Sequence, residues 1–156
     1  MEEIVFVTHN KGKVKAAEGY FDNIKFSTYD FELDEPRSDD ITEIATAKVK
    51  QAYDMVKKPC ISQDSGFFID ALNGFPKTFV NFSLDTIGLD GILKLMEGKE
   101  NRNCRFEECL AYYDGKEIKY FSADFIYPIL CVTKIISLSI FFSLWNLIIL
   151  FFHVFS

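Results

Sequence analysis

Charge stops abruptly along this chain. Nearly all acidic and basic residues precede Phe125, and from there to Phe155 only Lys134 and His153 are potentially charged. A folded domain needs polar side chains for its surface, so the sequence predicts one domain over residues 1–124 and a separate hydrophobic tail over residues 125–156. At 156 residues and 18.0 kDa the chain has room for one domain with a real core, without disulfide or metal staples.

The formal net charge is −6, from 23 acidic against 17 basic residues. That balance gives no overall pull toward nucleic acid or anionic lipid, so any phosphate site has to be local. Cys60, Cys104, Cys109 and Cys131 form no CxxC pair and no metal-finger spacing. They read as reduced thiols, and with no signal peptide ahead of the first apolar run the expected location is the cytoplasm.

Residues 4–8 (IVFVT) make a β-branched and aromatic run typical of a buried strand. The run passes through Thr8-His9-Asn10-Lys11-Gly12-Lys13 into a helical spacing at Val14, Ala17 and Phe21. Strand, polar turn and helix open an α/β unit. A second strand is expected over residues 24–29, followed by an acidic loop over residues 32–40. The clearest helix follows, with Ile41, Ile44, Ala45, Val49, Ala52, Tyr53 and Val56 at 3.6-residue spacing. Asp40 and Glu43 fit a capping box, and Lys57-Lys58-Pro59 ends the helix.

A short apolar step over residues 60–62 then meets the polar sequence that begins Gln63-Asp64-Ser65-Gly66. Polar residues at the end of a buried strand usually mark a site. Residues 87–96 read as a helix. Strands are expected over residues 104–113 and 118–124, joined by an Asp114-Gly115 hairpin turn.

Two segments suit chemistry. The turn from Thr8 to Lys13 gathers backbone N–H groups, a hydroxyl, an amide and two lysines at a helix N-terminus, which suits a polyphosphate. Its spacing is not that of a Walker loop, and by itself it also fits an ordinary solvated turn. Asp64, with a carboxylate from the loop carrying Glu32, Asp34, Glu35, Asp39 and Asp40, suits a Mg²⁺ ion held against phosphates. Taken alone, that loop reads foremost as a solvated acidic segment.

Together the two segments resemble one family. Thr8-His9-Asn10-Lys11-Gly12-Lys13 is similar to its Thr-x-Asn-x-x-Lys opening. Residues 63–76 (QDSGFFIDALNGFP) resemble its central signature. The family is that of the house-cleaning inosine triphosphate pyrophosphatases, also called non-canonical purine NTP or XTP/dITP pyrophosphatases, and the resemblance runs from Met1 to about Ala123. It implies Mg²⁺-dependent hydrolysis of ITP, dITP or XTP to the monophosphate and pyrophosphate. The fold it implies is α/β, a mixed central sheet flanked by helices, two-lobed around a cleft and usually a homodimer. Carried over by position, Thr8, His9, Asn10, Lys11, Gly12 and Lys13 hold the triphosphate, Glu35 and Asp64 bind the metal, Asp64 is the general base, and Ser65 touches substrate. A helix lysine near the phosphates is Lys48 or Lys50. Lys50 is preferred because it points away from the apolar face.

The sequence departs from the family at Gln63, commonly acidic there, and at Lys77, where the family has glycine. A lysine forced to positive φ would cost about 1 kcal/mol. After Ala123 the family's further sheet, its aromatic-Gly-aromatic-Asp-Pro turn and its base-reading Ser-His-Arg motif have no counterpart, the only histidines being His9 and His153. The chain is therefore expected to lack the family's C-terminal segment and to be either an active enzyme or an inactive relative that at most binds nucleotide. Residues 135–152 carry no charge, a span of about 18 residues that meets the length of a membrane-crossing helix. The tail reads foremost as the product of a shifted reading frame, then as a membrane anchor, then as repacked core.

Overall fold

The α/β opening takes shape at the N-terminus of the computed structural model, which describes residues 2–8, 11–19, 24–28 and 32–128. Strand β1 (Glu2–Val7) leads into helix α1 (Lys11–Glu18), and β2 (Ile24–Thr28) returns parallel to β1. The hydrophobic tail from residue 129 onward, with all three readings of it, lies outside the described residues. Among those described, no helix is long and apolar enough to cross a membrane.

Helix α2 (Ile41–Val56) has the expected bounds. Asp40 caps it by accepting the Thr42 N–H at 2.7 Å and the Glu43 N–H at 3.4 Å. The return half of the box runs through Ser38, whose hydroxyl donates to Glu43 at 2.5 Å and accepts the Asp40 N–H at 3.0 Å. Lys57 closes the helix in the left-handed region at φ 52°. Strand β3 (Cys60–Ile69) does not stop at Ser62. It carries the polar motif through its middle, because β5 pairs with it at every one of its residues.

Beyond β3 the chain makes a 3-10 turn at Asp70–Leu72 and the short strand β4 (Pro76–Lys77). Lys77 stands at φ 59°, the left-handed conformation that favours the glycine expected there. A short helix that the sequence did not reveal, α3 (Val80–Thr86), precedes α4 (Gly88–Leu95), which is the helix expected over residues 87–96 and opens at Gly88 with φ 65°.

Strands β5 (Asn103–Tyr113) and β6 (Ile118–Pro128) form a long hairpin. β6 therefore runs four residues past the boundary expected after residue 124, with Phe125 to Pro128 still in register with β5. The connection is a four-residue loop, not a two-residue turn. Asp114 accepts the Lys116 N–H at 2.8 Å and the Glu117 N–H at 3.0 Å. Those backbone bonds, that of Glu117 first, hold its carboxyl below the ordinary 3.8. The stabilisation is therefore present above that value and lost as pH falls through the lowered one. Asp114→Ala should melt earlier than the parent at neutral pH, and thermal scans should show the gap closing as the pH drops well below 3.8.

The sheet order is β2-β1-β3-β5-β6, with β4 added to β3. Alternation along the strands sends Val5, Val7, Cys60, Cys109 and Ala111 to the face covered by α2, where they pack on Ile41, Ala45, Val49 and Ala52. The other face carries two apolar clusters. Ile4, Phe6 and Ile61 meet Ala17 of α1, and Phe67, Ile69 and Phe106 meet Ile92 and Met96 at the α3–α4 layer. Cys60, Cys104 and Cys109 are buried and in no disulfide, and burial pushes the Cys60 thiol up to about 12.

Candidate active site

The polar motif occupies the one stretch of β3 that is bordered by a strand on a single side among the described residues. β5 runs along one edge throughout. On the other edge β1 pairs only with Cys60–Ser62, and β4 only with Phe67 and Phe68. Residues 63–66 lie in the gap between them, at the C-terminal end of parallel strand β1, where the turn into α1 begins. Open α/β sheets hold ligands at such ends. Gly66 fits the narrow end of the gap, since a Cβ there would stand 2.6 Å from the Phe68 ring and 3.3 Å from the Lys77 carbonyl oxygen.

Asp64 and Ser65 leave this stretch toward opposite faces. Asp64 shares the face of Ser62, whose hydroxyl donates to the Ala45 carbonyl of α2 at 3.3 Å. Its carboxylate meets Lys48 of α2 at 3.0 Å, and the same ammonium meets Glu35 at 2.7 Å. The Lys48 and Asp64 side chains are 15% and 19% exposed, whereas Glu35 is 59% exposed, so one end of the cluster is inside and the other faces solvent. Burial works to lower the Lys48 pKa, but Asp64 and Glu35 outweigh it and hold the group above the ordinary 10.5. The stabilisation this pairing gives is complete below 10.5 and lost only as pH rises through the raised value, so Lys48 is a cation at neutral pH.

Glu35 reaches the cluster on the loop of residues 32–40, which is tied down from two directions. The Gln51 side chain of α2 accepts the Asp34 N–H at 3.0 Å and donates to the Asp34 carbonyl at 2.7 Å. From the β4 side the Lys77 ammonium pairs with Asp39, and the Thr78 hydroxyl donates to the Ser38 carbonyl at 2.5 Å.

On the opposite face, between the two apolar clusters, lie Ser65, which is exposed, and the buried pair Gln63 and Glu108, in which the Gln63 amide donates to the Glu108 carboxylate at 3.3 Å. Neither Glu108 nor Gln51 stood out in the sequence. A lone glutamate in an alternating strand and a glutamine on a helix flank have no pattern that sets them apart.

Thr8 is half-buried just past β1, and Lys11, Gly12 and Lys13 form the first turn of α1. His9 and Asn10 lie outside the described residues. Lys50 is exposed on α2, whereas Lys48 is the α2 lysine that meets the carboxylates. Lys48 lies at the edge of the apolar face of α2, on the flank that faces Asp64.

A metal would find oxygen ligands here. Among the described residues no three His, Cys, Asp or Glu side chains group to enclose an ion. Mg²⁺ does not need such a cage, since it is commonly held by one or two carboxylates together with substrate phosphates. Glu35 and Asp64, gathered on one ammonium, fit that donor set.

A model of the Ham1 family matches residues 4–125 of the chain. The dITP/XTP pyrophosphatase of Thermococcus kodakarensis is 37% identical over 115 residues, covering 72% of this chain and 62% of that protein. The dITP/XTP pyrophosphatase of Saccharolobus solfataricus is 43% identical over 99 residues, covering 64% and 52%. The chain thus spans little more than half the length of such relatives. Among solved structures, the Staphylococcus aureus Ham1 protein superposes with a TM-score of 0.73 at 24% identity, over 81% of this chain and 71% of that one, which establishes the fold.

Proposed function

Because the chain belongs to the Ham1 family, we propose that it hydrolyses non-canonical purine nucleoside triphosphates, ITP, dITP or XTP, to the monophosphate and pyrophosphate. The observation that carries the reading is the Lys48–Asp64–Glu35 cluster beside the open stretch of β3. It joins two carboxylates on one ammonium.

In this reading Thr8, His9, Asn10, Lys11, Gly12 and Lys13 cradle the triphosphate at the α1 N-terminus, where free N–H groups and the helix dipole favour anions. Lys48 adds a positive charge from the α2 side. Asp64 orients a water for in-line attack at the α-phosphorus and takes its proton while the bond to the bridging oxygen breaks and pyrophosphate leaves. Ser65 touches the substrate from the opposite face. Glu35 and Asp64 would hold Mg²⁺, which when bound neutralises phosphate charge. Most of the rate gain comes from positioning and charge neutralisation. The site acts in the cytoplasm, within a homodimer.

One observation favours a second reading, a relative that at most binds nucleotide. Lys77 runs beside Gly66 in the left-handed conformation, and its side chain bridges to Asp39 where glycine would leave open space. Pyrophosphate release from ITP, XTP and GTP, with Mg²⁺ and with chelator, separates the two. The enzyme reading expects Mg²⁺-dependent release from ITP and XTP, reduced about 10²–10⁴-fold in Asp64→Asn, the range for removing a general base. A folded chain that binds ITP without releasing pyrophosphate would establish the second reading.

A further inference from the structure

We infer that Gln51 is a positioning residue for Glu35, fixing the backbone ahead of that carboxylate so that it meets Lys48 and Asp64 in a set geometry. The inference rests on the reading of Glu35 as a metal ligand.

Glu35 is the most exposed member of its cluster, and exposed glutamates ordinarily sample many rotamers. Its backbone has little such freedom. Upstream, one carboxamide engages both polar groups of Asp34, accepting its N–H at 3.0 Å and donating to its carbonyl at 2.7 Å. Only a side chain with a donor and an acceptor side by side satisfies both groups, which is the property of glutamine and asparagine. Downstream stands Pro36, which restricts the residue before it to extended conformations. Glu35 is held between the two.

Gln51 lies three residues after Lys48 on α2, so both project from neighbouring points of one helix face. The helix that supplies the ammonium thus also sets where the loop carboxylate stands relative to it. Gln51 bonds only the backbone of Asp34 and acts on the site through Glu35, in the way that outer partners orient metal ligands elsewhere.

The test is Mn²⁺ binding to the full chain without nucleotide, followed by electron paramagnetic resonance, for the parent, Gln51→Leu, Glu35→Gln and the double variant, with circular dichroism to confirm folding. Gln51→Leu is expected to weaken Mn²⁺ binding about tenfold, the low end for loss of an outer partner. The double variant should bind no more weakly than Glu35→Gln alone, a result that general destabilisation would not give. If Gln51→Leu does not fold, Gln51→Glu keeps the acceptor for the Asp34 N–H, loses the donor, and should weaken binding in the same direction. Parent-like affinity in a folded Gln51 variant overturns the inference. Glu35→Gln then shows what failed: if it alone binds weakly, Gln51 has no positioning role, and if it too binds normally, the metal reading of Glu35 falls as well.

Discussion

Lys48→Met should lower kcat for pyrophosphate release from ITP by about 10²–10³, the loss seen when one preorganised donor is removed from a developing charge. Methionine keeps the length and most of the packing of the lysine stem, so the fold should survive while the charge is lost. The variant also leaves Asp64 and Glu35 without their shared cation. Lys50→Met, changing an exposed lysine two positions away, should leave the rate near that of the parent. Equal losses in the two variants would mean that the ammonium at Asp64 is not the one that matters.

Phe67→Ala is expected to cost about 3–5 kcal/mol of stability, the range for deleting a buried phenylalanine. Phe67 is 1% exposed and stacks on Phe106 with ring centroids 4.5 Å apart, at the centre of the cluster that holds Ile92 and Met96 against the sheet. Since domains of this size are stable by only about 5–15 kcal/mol, the loss takes a large share of the total. Urea melts give the difference directly. A change below about 1 kcal/mol would mean that the α3–α4 layer is held by something other than this cluster.

What the sequence revealed and what it hid divide along physical lines. Helix α2 was legible to the residue because its apolar positions repeat at helical spacing and Asp40 caps it. The parallel start was legible because an apolar run ends in a polar turn. β3 was cut short because Gln63, Asp64 and Ser65 look like a loop when read locally, and only pairing with β5 along the whole strand keeps them extended. Helix α4 was read to within a residue at each end, whereas α3 went unread because it is a seven-residue helix with no side-chain cap to mark its start. Within the site, residue types in a familiar order pointed to Asp64 and Glu35, but the choice between Lys48 and Lys50 depended on which flank of α2 meets the sheet. No local pattern encodes that, and none encodes the reach of Gln51 across 17 residues to Asp34.

Asp64 and Ser65 are adjacent in sequence yet serve opposite faces, and this governs which genetic changes the gene can absorb. Deleting one codon among those for Cys60 to Gln63, with the start of the strand anchored on β1, would carry Ser65 into the place opposite Lys48 and turn every later side chain of β3 over. Phe67 and Ile69 would leave their core for the α2 face. Insertions and deletions of a single residue along β3 should therefore be purged, while those in surface loops such as 114–117 should be retained.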